Sequence, residues 1–182
     1  LGSVVFVFFK DIIDILSTIK KKSTQKLIIY IFIATIPAVI VGFTLRNNIE
    51  ILFESVSSVG FALLFTGLVL ILSSNFKNKN SKHSLFSSVV IGFGQALAII
   101  PGISRSGMTI TLSLIFGFSP KESAKFSFLL SIPVIAGAGV LGIQDIQSTE
   151  IFSVDIILAA VLSSFFIGII ALRLLIKLLE LG

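Results

Sequence analysis

Pro101-Gly102-Ile103-Ser104-Arg105-Ser106-Gly107-Met108-Thr109 is a polar loop bracketed by glycines and set between two apolar runs, 85–100 and 107–118. A helix that crosses a membrane needs about 20 apolar residues. Runs of 16 and 12 fall short, whereas two half-helices that dip in and return fit both lengths. Pro101 and Gly102 break the first run, and Ser106-Gly107 can open a new helix. Arg105 is costly in such surroundings unless a polar cavity or an anion meets it, so it becomes a functional-site candidate.

The residue types around Arg105 agree on an anion. The first N–H groups of a helix lack intrahelical acceptors and lie at the positive end of its dipole. Arg105 adds a planar fork suited to two phosphate oxygens, and the Ser104, Ser106 and Thr109 hydroxyls add neutral donors. Arg105 and Thr109 are an i,i+4 pair and can share a face. Gly102 and Gly107 bracket this phosphate cradle. The plainer alternative is a loop whose arginine reaches for lipid headgroups.

The order Pro-Gly-x-Ser-Arg-Ser-Gly-x-Thr follows Gly92-Phe93-Gly94-Gln95 and precedes Lys125-Phe126-Ser127-Phe128-Leu129-Leu130-Ser131-Ile132-Pro133. It resembles the second signature of the undecaprenyl-diphosphate phosphatases, bacterial membrane enzymes that recycle the lipid carrier of cell-wall synthesis and are known for bacitracin resistance. The resemblance extends along the whole chain. It implies an all-α, polytopic bundle of two inverted repeats, each a re-entrant hairpin followed by membrane helices. Residues 1–182 then form one membrane domain: 1–84 from the first repeat, 85–118 the second hairpin, and 119–182 the helices after it. Family members are longer, and their first signature, with two glutamates and a Ser-Ser-Thr-Gly-His run, is not in this sequence. The expectation is a chain truncated at its N-terminus and also at its C-terminus.

What the resemblance implies for chemistry is hydrolysis of undecaprenyl diphosphate at the outer face of the bacterial inner membrane. Arg105 and Ser104 would act on the transferred phosphoryl group, Gly102, Ser106, Gly107 and Thr109 would complete the cradle, and Gln95 would orient the loop. A divalent cation, Mg or Ca, is implied, with ligands not identifiable in this sequence. The acid–base carboxylates and a histidine would come from the absent half. The implied partners are the polyprenyl diphosphate and membrane lipids, not nucleic acid; a homo-oligomer is left open. The competing class is a transporter or binding protein for a phosphorylated lipid or other anion, because broken helices also serve that purpose.

Composition supports the membrane reading independently. Of 182 residues, 55% are hydrophobic and 13% charged, against about a quarter charged in soluble chains, and mean hydropathy is +1.10. The absence of cysteine excludes disulfides and thiolate chemistry in this chain. Spans are expected at 27–45, with Pro37 as a kink, and at 56–72, 126–143 and 156–179. Residues 1–9 are too short to span, and an interfacial helix is expected at 12–19. Ser119-Pro120-Lys121-Glu122 is a helix start. Gly137, Gly139 and Gly142 suggest close helix contact. His83, the single histidine, sits in a lysine-rich loop and reads as a solvated residue.

Charge sets the orientation. Segments 10–26, 77–82 and 121–125, together with Arg173 and Lys177, hold twelve of the fourteen basic residues, while Arg46 alone lies on the other side and Arg105 lies in the hairpin. The lysine-rich side is therefore expected in the cytoplasm.

Overall fold

A computed structural model describes residues 1–45, 55–73, 81, 83–145 and 153–181. Among them are eight helices and no strand: α1 Gly2–Val7, α2 Phe9–Ser17, α3 Lys22–Thr44, α4 Val56–Ser73, α5 Leu85–Leu97, α6 Arg105–Ile115, α7 Pro120–Asp145 and α8 Val154–Leu181. Four have segments long and apolar enough to cross a membrane: Lys22–Thr44, Val56–Ser73, Pro120–Val140 and Val154–Leu179. These are the expected spans, with earlier starts on α3, α7 and α8 because polar first turns are helical too. At α7 the expected start is realised in full. Ser119 Oγ accepts the Glu122 amide at 3.2 Å, and Glu122 Oε2 accepts the Ser119 amide at 3.3 Å, a reciprocal cap. α3 runs through Pro37 without interruption.

α5 and α6 form the hairpin. With 13 and 11 residues they are about 20 and 17 Å long, short of the roughly 30 Å hydrocarbon core. α5 starts on a cap in which Ser84 Oγ and Ser87 exchange hydrogen bonds. The Ser81 amide, just before the hairpin, donates to Gly117 O just after it at 3.1 Å, so both mouths sit together. The tip lies against α4. Gly102 has φ +94, and a Cβ there would fall 2.6 Å from Val59 O and 2.8 Å from Ala62 Cβ. At 1.5 Å per residue, Ala62 is about 9 Å from the start of α4 and about 16 Å from its end. The tip therefore passes the middle of the apolar layer without crossing it.

α3 packs most extensively on α5 and also meets α7. Ala34, Ile91, Phe118, Phe126 and Leu130 form the buried core between these three helices. The approach is close because Gly92 has no Cβ; one would lie 2.7 Å from Ala34 O. A second cluster joins Val4, Phe8, Ala124 and Phe128 to Leu172, Leu175 and Ile176 of α8. Large apolar side chains such as Phe32, Phe61 and Ile170 point outward, as lipid-facing residues of a membrane bundle do.

Among the described residues, the basic segments 10–26 and 121–125 gather at one end with Ser81. Lys125 Nζ pairs with Asp11 at 2.5 Å, Ser81 meets Gly117, and Ala124 packs near the end of α8. The short helix expected at 12–19 appears as α2, shifted to Phe9–Ser17. It stops where Thr18 Oγ1 bonds Asp14 O at 2.6 Å and shares a 2.9 Å bond with Thr24 Oγ1, pinning the turn into α3.

Two expectations need correction. His83 is not a solvated loop residue: its ring lies 4.0 Å from that of Phe118 and 4.3 Å from that of Phe126. The hairpin's return brings Phe118 back across the loop, a contact the neighbouring lysines do not reveal. Gly137 and Gly139 are exposed, and a Cβ on either of them or on Gly142 would meet nothing within 4 Å. No close helix contact forms at these glycines among the described residues, since α7 is exposed from Gly137 to Val140. Residues 77–80, 82 and 146–150 lie outside the described set.

Candidate functional site

Ser104 caps α6. Its Oγ accepts the Gly107 amide at 3.1 Å, and its carbonyl accepts the Met108 amide at 2.9 Å. Gly107 allows this turn to close tightly, since a Cβ there would lie 3.0 Å from Ser104 Oγ. The loop is held from outside by Thr66 of α4. That hydroxyl donates to Gly102 O at 3.2 Å and accepts from the Ser104 amide at 3.1 Å. The amides of Arg105 and Ser106, the first two of α6, keep no acceptor among the described residues, as expected at a helix start.

The Arg105 guanidinium is seated by neutral groups. Nε donates to Gln95 Oε1 at 2.9 Å, and Nη2 donates to Leu130 O at 3.3 Å. Gln95, 1% exposed, is itself fixed by donating through Nε2 to Ala34 O at 3.3 Å. The chain α3–Gln95–Arg105–α7 thus determines the arginine's position. Three of the five guanidinium donors remain uncommitted. Among the described residues no carboxylate pairs with Arg105, although a half-buried charge is costly without one.

Thr109 stands elsewhere from its expected place. Fully buried, it donates to Arg105 O at 2.9 Å and shares a 2.6 Å bond with Ser127 Oγ of α7. Its hydroxyl is consumed in holding α6 to α7, so it shapes the cradle rather than facing into it. Ser106 faces the opposite way, lining an apolar cavity of about 310 Å³ with Leu1, Val4, Phe128 and Leu172. Gln95 is brought directly against Arg105. Thr66 and Ser127 were not singled out in the sequence, where each is one hydroxyl in a long apolar helix, 38 and 18 residues from its partner.

His83 belongs to a separate cavity of about 330 Å³ near Lys26, Tyr30 and Glu122. Burial lowers its pKa to about 4, with Glu122 opposing. A divalent cation of the Mg or Ca kind prefers anionic oxygen ligands. The cradle offers hydroxyls, amides and a guanidinium, and the described residues contain no group of three or more His, Cys, Asp or Glu placed to hold a metal. The residues present do not fit such a cation.

The entire chain, residues 1–182, matches the family model described as "Bacitracin resistance protein BacA". The chain belongs to the BacA family. Among BacA relatives, an "Undecaprenyl-diphosphatase" of Halothermothrix orenii is 42% identical over 149 residues, covering 80% of this chain and 57% of the relative. Proteins of the same name from Moorella thermoacetica and Methanobrevibacter smithii are 35% and 39% identical, covering 99% and 86% of this chain. They are matched over 70% and 58% of their own lengths. This BacA chain therefore spans little more than half of two of these three relatives.

Proposed function

We propose that this chain carries the diphosphate-binding half of an undecaprenyl-diphosphate phosphatase acting in the bacterial inner membrane. The observation that supports it best is Arg105: a guanidinium seated by Gln95 and Leu130 O with no carboxylate partner among the described residues, beside two orphan amides. A diphosphate supplies the missing counter-charge and accepts all these donors. Arg105 clamps the phosphate oxygens and stabilises charge that develops on the transferred group. The Ser104 hydroxyl adds a donor, while Gln95, Thr66, Thr109 and Ser127 hold the geometry; Ser106, turned to the apolar cavity, contributes its amide alone. The tip's depth, nearer the end of α4 away from the lysines, suits reaction at the outer face. The relatives' name favours hydrolysis over the transporter alternative.

Hydrolysis also needs a base for the nucleophile and an acid for the leaving group. No Asp, Glu or His lies between residues 85 and 121, so the hairpin supplies neither. No step is assigned to a metal. The test is phosphate release from a polyprenyl diphosphate by purified chain, alone and with a co-expressed N-terminal segment of a full-length relative. Release is expected only with the segment and is lost in Arg105→Ala. Release by the chain alone would overturn the division of labour.

A further inference from the structure

We propose that the corner between α2 and α3 is a binding surface for anionic phospholipid headgroups of the leaflet on the lysine-rich side. Phe9, Ile13 and Leu16 recur at i, i+4, i+7 and are 55%, 49% and 62% exposed, forming one apolar stripe on α2 that no element among the described residues covers. Lys10, Asp14 and Ser17 lie on the adjoining exposed face, about 100° around the helix. α2 touches the bundle through α1 and the Asp11–Lys125 pair. A short helix with this pattern, joined directly to a membrane span, lies in the interface with its stripe toward the acyl chains.

Lys20, Lys21 and Lys22 follow at once, all exposed, with no acid paired to them among the described residues. They crowd the start of α3, where the helix dipole is already positive and the first turn holds no acid, so they do not serve helix stability. The Thr18–Thr24 bond fixes this turn, holding the three ammonium groups at headgroup depth beside the stripe. Apolar stripe and lysine cluster together match a lipid with an anionic head and an acyl tail. This surface lies at the opposite end of the hairpin from the cradle, and the inference stands independently of the phosphatase reading.

The experiment uses the full chain, which has no native cysteine, with a bimane probe on Leu16→Cys in phosphatidylcholine vesicles. Quenching by doxyl-labelled phosphatidylglycerol is compared with quenching by doxyl-labelled phosphatidylcholine. A preference of roughly tenfold for the anionic lipid is expected, falling to near one in Lys20→Gln/Lys21→Gln/Lys22→Gln. In the unsubstituted lysine background the preference also collapses as salt is raised, which needs no variant to fold. Millimolar inorganic phosphate should leave it unchanged. Equal quenching by both lipids, a preference that survives the triple variant or high salt, or displacement by free phosphate would each overturn the proposal. So would a probe that neither lipid quenches, which would mean that another surface covers the stripe.

Discussion

Thr66 shows how much a single hydroxyl does at the cradle. It satisfies both Gly102 O and the Ser104 amide, so Thr66→Val leaves two backbone groups of the tip without partners. We predict a roughly tenfold loss of affinity for methylenediphosphonate, equivalent to about 1.4 kcal/mol, with recovery in Thr66→Ser, read by calorimetry on the purified chain. Equal affinity in the valine variant would remove Thr66 from the site. Arg105 and Gln95 were legible in the sequence because charge and helical spacing are local properties; the Ser104 cap was not, since the helix was expected to open at Ser106-Gly107. Thr66 and Ser127 were not, because a hydroxyl in an apolar helix looks the same whether it bonds its own backbone or a loop far along the chain.

His83 carries a pH signature of its own. Its folded pKa of about 4 lies below the ordinary 6.5. The unfolded chain therefore binds more protons between these values, and stability is full above pH 6.5 and falls as the pH drops toward 4. Because the ring is only partly buried, the loss is about 1–2 kcal/mol rather than the full shift. Melting of the purified chain between pH 7 and 4 checks this: the downward slope should flatten in His83→Phe, and an unchanged slope would assign it to other groups. The sequence misled here because Lys79 and Lys82 suggest a solvated loop, whereas Phe118 reaches His83 only after the chain has gone down and back.

At the scale of elements, hairpin lengths and the α7 cap were readable because 16- and 12-residue apolar runs cannot span and Ser-Pro-x-Glu starts a helix. The depth of the tip was not, since charge counting gives the same answer for a dipping and a spanning hairpin. It is set instead by the fit of Gly102 against Val59 and Ala62. Gly102→Ala combines an unfavourable φ with a clash against backbone, a cost of about 2 kcal/mol or more. We predict weakened diphosphonate binding with helix content by circular dichroism retained. Binding equal to that of the parent chain would show that the tip does not need its seat on α4.

For the whole molecule, the bundle has a lysine-rich end and a far end, with the cradle nearer the latter. Single cysteines at Lys21 and Lys125 should label from one side of oriented vesicles and one at Ser153 from the other; labelling of Lys21→Cys and Lys125→Cys from opposite sides would break this topology. Arg105 is the proposed centre of a local diphosphate cradle, and equilibrium binding tests that role most directly. Titrating a non-hydrolysable polyprenyl methylenediphosphonate into the purified chain should give saturable binding, weakened about a hundredfold in Arg105→Lys, which keeps the charge but loses the fork. Equal affinity for the parent chain and Arg105→Lys, with both folded, would contradict it.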